Sequence, residues 1–171
     1  MQIETARLLL RPMEPGDVDA LLGIFGDPGV MAVFGVGPFD RTQMLPWVQR
    51  NLAHQDAHGY GLFAILRRDS GLLIGDCGLE HMIVGGRAEV ELGYDIRRDH
   101  WNHGYATEAA TAVRDYAFVT LGLHRVISLI RTDNAPSRRV AEKLGMRPSA
   151  ELNRGGQPYV IYAAVRTPAL G

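Results

Sequence analysis

Trp101-Asn102-His103-Gly104-Tyr105-Ala106-Thr107-Glu108-Ala109-Ala110 joins two different sequence patterns. Before it, Ala88 to Ile96 is an apolar, strand-like run. After it, an amphipathic run reaches Phe118. A strand, a short glycine loop and a helix start together suit a phosphate. The first backbone N–H groups of a helix lack an internal partner, and the macrodipole makes that end positive. Glycine at the junction lets the backbone approach an anion closely. Thr107 and Glu108 also suit an early helical turn. Two familiar phosphate loops do not fit. A P-loop needs a lysine after its last glycine, and none follows Gly104. A dinucleotide fingerprint needs three glycines near the start of a parallel unit, and here one glycine stands late in the chain.

Outward from this segment, the remaining elements follow from periodicity and punctuation. Leu8-Leu9-Leu10 reads as a first strand. Pro15 opens a helix that carries Val18, Leu21, Leu22 and Phe25 on one face. Residues 26–38 read as a loop. Asp40 and Gln43 form a capping-box pattern, so a second helix runs to about Leu52, with Pro46 predicting a kink or an early break. Gly61 to Arg67, Leu72 to Glu80 and Arg87 to Arg97 read as strands, the last two joined at Gly85-Gly86. Gly75 and Gly78 suggest bulges or close backbone packing. The helix after Gly104 spans roughly Ala106 to Thr120. Val126 to Ile130 is a buried-type strand. Asn134 is an N-cap, Pro136 sits in the first turn, and Gly145 ends that helix. Strands at about Arg147 to Leu152 and Pro158 to Val165 close the order β-α-α-β-β-β-α-β-α-β-β. Successive strands without helices imply antiparallel pairs, and the strand–helix–strand unit from Val90 to Ile130 implies one parallel pair. The fold class is α+β: a mixed, mainly antiparallel sheet of about seven strands with helices on both faces.

The bulk numbers bound the function. At 171 residues, 46% hydrophobic and 22% charged, residues 1–171 read as a single globular domain. A net charge of −1 gives no general attraction to nucleic acid or a membrane surface. No apolar run reaches the ~18 residues of a membrane span, and Met1 to Thr5 lacks a signal peptide's basic start. The expected location is cytoplasmic. The single Cys77 permits no intramolecular disulfide, and in a strand it reads as a small buried residue.

Trp101 to Ala106 resembles the acetyl-CoA-binding motif [QR]-x-x-G-x-[GA] of the GNAT superfamily. Gly104 and Ala106 fit, and Trp101 departs from the usual first residue. The branch of ribosomal-protein N-acetyltransferases (the RimJ/RimL-like group) commonly has tryptophan there, in W-G-x-G-Y-A-T-E-A; this chain has Asn102 where that branch often has glycine. Thr5 to Pro12 is similar to the same branch's opening, Val90 to Ile96 to its central E-[IL]-G-Y strand, and Asn134 to Met146 to its N-x-x-S helix. The resemblance spans almost the whole chain. It implies the GNAT fold, acetyl-CoA as co-substrate, a small-molecule or protein N-terminal amine as acceptor, and no metal. The family admits a homodimer.

The resemblance also implies site roles. Asp95 and Ile96 lie beside the pantetheine arm, and Asn134 contacts it. Backbone N–H groups near His103, Gly104, Tyr105, Ala106 and Thr107 take the pyrophosphate. Arg97, Arg98, Arg138 and Arg139 either meet the adenosine phosphates or are solvated. Ser137 is the expected proton donor to the leaving thiolate. Glu91 is the expected base, directly or through water, with Glu89 in reserve. A primary amine is mostly protonated at neutral pH and must lose a proton to attack, which is why a base is sought. Plainer roles stand beside these. Asn134 and Ser137 suit a helix start in any protein, and Glu91 can be structural. His100 and His103 sit on a loop without a further ligand pattern for zinc. The Trp47, Tyr60 and Phe63 region either lines an acceptor pocket or is core. A non-catalytic acyl-CoA-binding module is the alternative function.

Overall fold

The structure, a computed structural model, describes residues 1–167. Residues 168–171, which the single-domain expectation includes, lie outside the described residues. Among the described residues, eight strands form one sheet in the order β1-β2-β3-β4-β5-β6-β8-β7. They are β1 (Ile3–Glu4), β2 (Leu8–Pro12), β3 (Leu62–Arg67), β4 (Leu73–Val84), β5 (Arg87–Ile96), β6 (Arg125–Arg131), β7 (Arg147–Arg154) and β8 (Gln157–Val165). Every neighbouring pair is antiparallel except β5 and β6. The strand beyond the expected seven is β1, two residues paired to Leu9 and Leu10.

The helices are α1 (Val18–Phe25), α2 (Pro28–Met31), α3 (Arg41–His58), α4 (Tyr105–Asp115) and α5 (Ala135–Lys143). Two apolar cores separate the faces of the sheet. Val18, Leu21, Ile24 and Phe25 of α1 and Met44 and Val48 of α3 pack with Leu62, Ala64 and Leu73. On the other face, Ala109, Ala110 and Val113 of α4 and Ala141 of α5 pack with Cys77, Leu79, Leu92 and Ile96. The alternation along each strand sends odd β5 positions toward α1 and α3, and even ones toward α4.

Three local expectations are corrected. The stretch 26–38 is not all loop: Asp27 caps α2 by accepting from Gly29 N–H, and a 3-10 turn follows at Ala32–Phe34. Helix α3 does not break at Pro46 but runs on to His58, where Gly59 caps it at φ +73°. Proline removes one N–H near the helix start, and burial of Met44 and Val48 on either side outweighs that loss. Strand β4 runs four residues beyond Glu80, to Val84, because the turn at Gly85-Gly86 pairs Val84 directly with Arg87.

Gly75 and Gly78 of β4 do mark close backbone approach. A Cβ on Gly78 would sit 2.2 Å from the Gly61 carbonyl oxygen and 2.5 Å from Leu62 Cα. Gly23, inside α1, has open space around the same position. Thermal unfolding should therefore separate two formally identical changes. Gly78→Ala lowers stability by about 1–3 kcal/mol through overpacking against backbone. Gly23→Ala raises it by ~0.5–1 kcal/mol through lost chain entropy and better helix propensity.

Candidate functional site

The parallel neighbours β5 and β6 share one registered pair, Glu91 with Ile127. Beyond it they diverge, and side chains take over from the ladder. The Ser128 hydroxyl donates to the Leu92 carbonyl at 2.6 Å. The Leu129 N–H donates to Glu91 Oε1 at 3.3 Å. Since Leu92 turns its carbonyl toward β6, two-residue alternation turns the Tyr94 N–H and carbonyl the same way. The Ile96 carbonyl beside them accepts from the Trp101 indole at 2.6 Å.

A cavity of about 200 Å³ opens at this divergence. It is lined by residues of β4, β5, β6 and the start of α5, with Phe25, Phe34 and Trp47 as an apolar wall. Glu91, Asp95, Asn134 and Ser137, all singled out in the sequence, meet there. So do Asp76 and Glu80, which were not. Asp76 stands opposite Asp95, and Glu80 opposite Glu91, with Gly78 facing Gly93 between the two pairs. Burial is the main force on these carboxyls. It raises Glu91 to about 7, helped by Glu80 and opposed by the Leu129 N–H. It raises Asp95 to about 7, again helped by Glu80. Asp76 is pushed well up by burial and then by Asp95. Glu80 is raised by burial, with Arg50 pulling the other way. Values near 7 suit Glu91 and Asp95 to exchange protons near neutrality.

The glycine loop lies at the end of β5. Gly104 occupies the N-cap of α4 at φ +79° and offers no side-chain cap. The first intrahelical bond is Glu108 N–H to the Gly104 carbonyl, so the N–H groups of Tyr105, Ala106 and Thr107 have no helical partner. Asn102 adopts φ +61°, a left-handed conformation that explains why glycine also serves at this place. The N-terminal strand region fixes the loop from outside. Arg7 donates to the His103 carbonyl at 2.9 Å and to Glu108 Oε2 at 2.7 Å, and its guanidinium lies 4.5 Å from the Tyr105 ring centre. The Thr5 hydroxyl donates to Glu108 Oε1 at 2.6 Å. Glu108 is therefore a buttress, not merely an early-turn acid.

Asn134 caps α5 by accepting from Ser137 N–H at 3.2 Å. The Tyr94 hydroxyl donates to the Ser137 carbonyl at 2.8 Å and ties α5 to β5. Glu91 Oε2 stands 3.7 Å from where a Gly93 Cβ would be, so this oxygen lies over the cavity floor. The reserve acid Glu89 is elsewhere, paired with Arg125 at 3.2 Å. Asp95 sends its side chain into the cavity, while its carbonyl faces Gly75 of β4. Of the four arginines, Arg97 pairs with Asp99, Arg98 with Asp27, and Arg138 binds Tyr162 and the Thr132 carbonyl. His103 Nδ1 lies 2.6 Å from the Trp101 carbonyl, and His100 Nδ1 2.8 Å from Asp99. Trp47 lines the cavity, Phe63 is core, and Cys77 is fully buried. Sequence reasoning missed Asp76, Glu80, Tyr94 and Arg7. The first two were within reach, because counting outward from the Gly85-Gly86 turn pairs them with Asp95 and Glu91.

Comparison with known proteins bears on the family and the fold. A family model described as an acetyltransferase (GNAT) domain matches residues 7–147. YoaA of Bacillus subtilis, described as an uncharacterized N-acetyltransferase, is 32% identical over 96% of each chain. The crystal structure of an Agrobacterium tumefaciens acetyltransferase superposes with a TM-score of 0.84 at 30% identity, covering 97% of this chain and 95% of its own. A RimL ribosomal-protein acetyltransferase solved with coenzyme A shares the fold, with a TM-score of 0.79 at 16% identity over 96% and 98%.

The acidic cavity has a stability signature. A carboxyl whose folded value is raised favours the folded state in acid, and that stabilisation is lost as pH rises through the folded value. Stability carried by Glu91 and Asp95 is thus fully present below the ordinary carboxylate range and gone above about 7. Asp95→Asn should flatten the fall in melting temperature between pH 5 and pH 8. The difference from wild type at the alkaline end should be on the order of 1–3 kcal/mol, read by scanning calorimetry.

Proposed function

The chain belongs to the acetyltransferase (GNAT) domain family, and from that premise we propose that it is an acetyl-CoA-dependent N-acetyltransferase acting on a primary amine. The RimJ/RimL-like motifs favour that branch. One observation carries the reading: Glu91, Ser137 and the unpaired edge of β5 meet in a single cavity at the divergence from β6. The free N–H groups that start α4 lie at the end of the same strand.

The residues present fit acetyl-CoA. The α4 start is an anion cradle with its own phosphate-sized gap in hydrogen bonding, and Arg7 and Glu108 hold it in place. Tyr105, Ala106 and Thr107 N–H groups would take the pyrophosphate, with His103 and Gly104 shaping the loop. The Tyr94 backbone and Ile96, with the Asn134 side chain, would hold the pantetheine arm; Asp95, whose carbonyl faces β4, leaves its side chain to the acceptor end of the cavity. Acetyl-CoA supplies an acyl carbon made electrophilic by its thioester. Glu91 Oε1 is fixed by the Leu129 N–H, leaving Oε2 to remove a proton from the acceptor ammonium, directly or through water. At about 7 its proton affinity suits a base working near neutrality. A backbone N–H of β5 would meet the negative charge developing on the carbonyl oxygen. Ser137, held by its N-cap bond and by Tyr94, would give a hydrogen bond or proton to the departing sulfur.

Thiol release from acetyl-CoA in a panel of amines and N-terminal peptides tests the proposal. Glu91→Gln should cut kcat by about 10²–10⁴-fold, and the wild-type rise of kcat/KM through pH 7 should disappear in that variant. Calorimetry should show Gly104→Glu losing acetyl-CoA binding, because a bulky anion then occupies the cradle. Tight acetyl-CoA binding with no turnover on any acceptor would favour a non-catalytic acyl-CoA-binding module instead.

A further inference from the structure

The cavity holds more carboxyl groups than one base requires. Its lining carries four carboxyls, Asp76, Glu80, Glu91 and Asp95. The lining itself holds one cationic side chain, Arg131, already engaged by Asp133 through two bonds at 3.0 and 2.7 Å, while Arg50 and Arg154 act on Glu80 and Glu91 from outside it. Asp76 is 1% exposed, and its Oδ2 has no hydrogen-bond partner. An unpartnered buried carboxyl oxygen costs stability in the free protein, and an ammonium N–H in the cavity would remove that cost. The opposite wall is Phe25, Phe34 and Trp47, with Phe25 and Trp47 ring centres 4.9 Å apart. Aromatic faces receive both methylene chains and cations.

The spacing is equally specific. The pair Asp76–Asp95 and the pair Glu80–Glu91 are four residues apart along β5, about 13 Å at strand rise. Between them stand only Gly78 and Gly93, and a Cβ on Gly93 would meet nothing nearer than Glu91 Oε2 at 3.7 Å. The result is a floor that is open over Gly93 and closed over Gly78 by the Gly61–Leu62 backbone, with an acidic pair at each end. At about 200 Å³ the space is smaller than the ~300–1,000 Å³ of drug-sized sites, which suits a slender chain.

Resting on the N-acetyltransferase reading above, we propose that the acceptor is an aliphatic polyamine, a small chain with ammonium groups at both ends. Glu91 and Glu80 receive the reacting end, and Asp76 and Asp95 hold the far ammonium. The reacting ammonium gives one proton to Glu91. Its nitrogen lone pair then forms a C–N bond to the acyl carbon as the C–S bond breaks, and the sulfur keeps that electron pair. The amine's second proton leaves to solvent, and the sulfur takes one from Ser137 or solvent. The products are CoA and a mono-acetylated chain still bearing its distal charge. Asp76 and Asp95 are positioning residues in this scheme.

The test compares spermidine, 1,7-diaminoheptane and 1,8-diaminooctane with heptylamine and octylamine in the wild-type enzyme, with thiol release from acetyl-CoA as the readout. The diamines and spermidine should exceed the monoamines in kcat/KM by at least ~100-fold, the equivalent of about 2.7 kcal/mol. Most of the difference should lie in KM. In Asp76→Asn the ratio should collapse toward one, and Asp76→Glu should restore part of it. Equal rates for diamines and monoamines would overturn the polyamine assignment and leave the N-acetyltransferase reading intact. A preference for N-terminal peptides over every polyamine would overturn it in favour of a protein acceptor. Acetyl-CoA binding without turnover on any amine would overturn both.

Discussion

Two parallel strands that meet at one residue pair and then separate leave backbone groups without their usual partners. In this protein that separation starts at Glu91 and Ile127, and the rest of the molecule is arranged around it. Unpaired buried N–H and carbonyl groups are costly. Near the apex, Glu91 and Ser128 supply substitutes from side chains. Farther out, the opening faces the cavity. The antiparallel pairs on either side, β4–β5 and β6–β8, are long and regular, so the divergence is held open from both sides. Helix α5 is bound across the gap by the Tyr94 hydroxyl, which reaches the Ser137 carbonyl.

The same register that shapes the opening concentrates charge beside it. The Gly85-Gly86 turn aligns Glu80 with Glu91 and Asp76 with Asp95. The side chains face the α1 and α3 side of the sheet, away from the packed core over α4. Desolvation drives all four carboxyls upward, and repulsion from neighbouring carboxylates adds to it at Asp76, Glu91 and Asp95. A fold does not benefit from such a cluster. The folded state is less stable at neutral pH for holding it, as functional sites often are.

Much of this was legible in the sequence, and the limits have physical causes. The strand–glycine–helix junction at Gly104 reads locally, because phosphate cradling depends on a few adjacent backbone groups. The two faces of the sheet and the single parallel pair follow from element order. Asn102 at positive φ and the Trp101 indole on Ile96 are local features too, and each explains one departure from the family motif. The clasp of Thr5 and Arg7 on Glu108 joins residues about a hundred positions apart, which periodicity does not report. Helix α3 passes Pro46 because tertiary burial outweighs a propensity that local reading weighs alone. Asp76 was hidden for another reason: inside a strand read over Leu72 to Glu80, its pairing with Asp95 emerges only when the hairpin register is counted out from Gly85-Gly86.

The central claim is that the divergence of β5 and β6 is a built opening for the pantetheine arm, with the acyl group delivered beside Glu91. A crystal structure of the protein with acetyl-CoA tests it most directly. The account predicts density for the pyrophosphate on the N–H groups of Tyr105, Ala106 and Thr107. It predicts the arm between Tyr94 and the start of α5, and the thioester within reach of Glu91 and Ser137. Acetyl-CoA bound elsewhere, or β5 and β6 zipped together in a continuous ladder beyond Glu91, would contradict it.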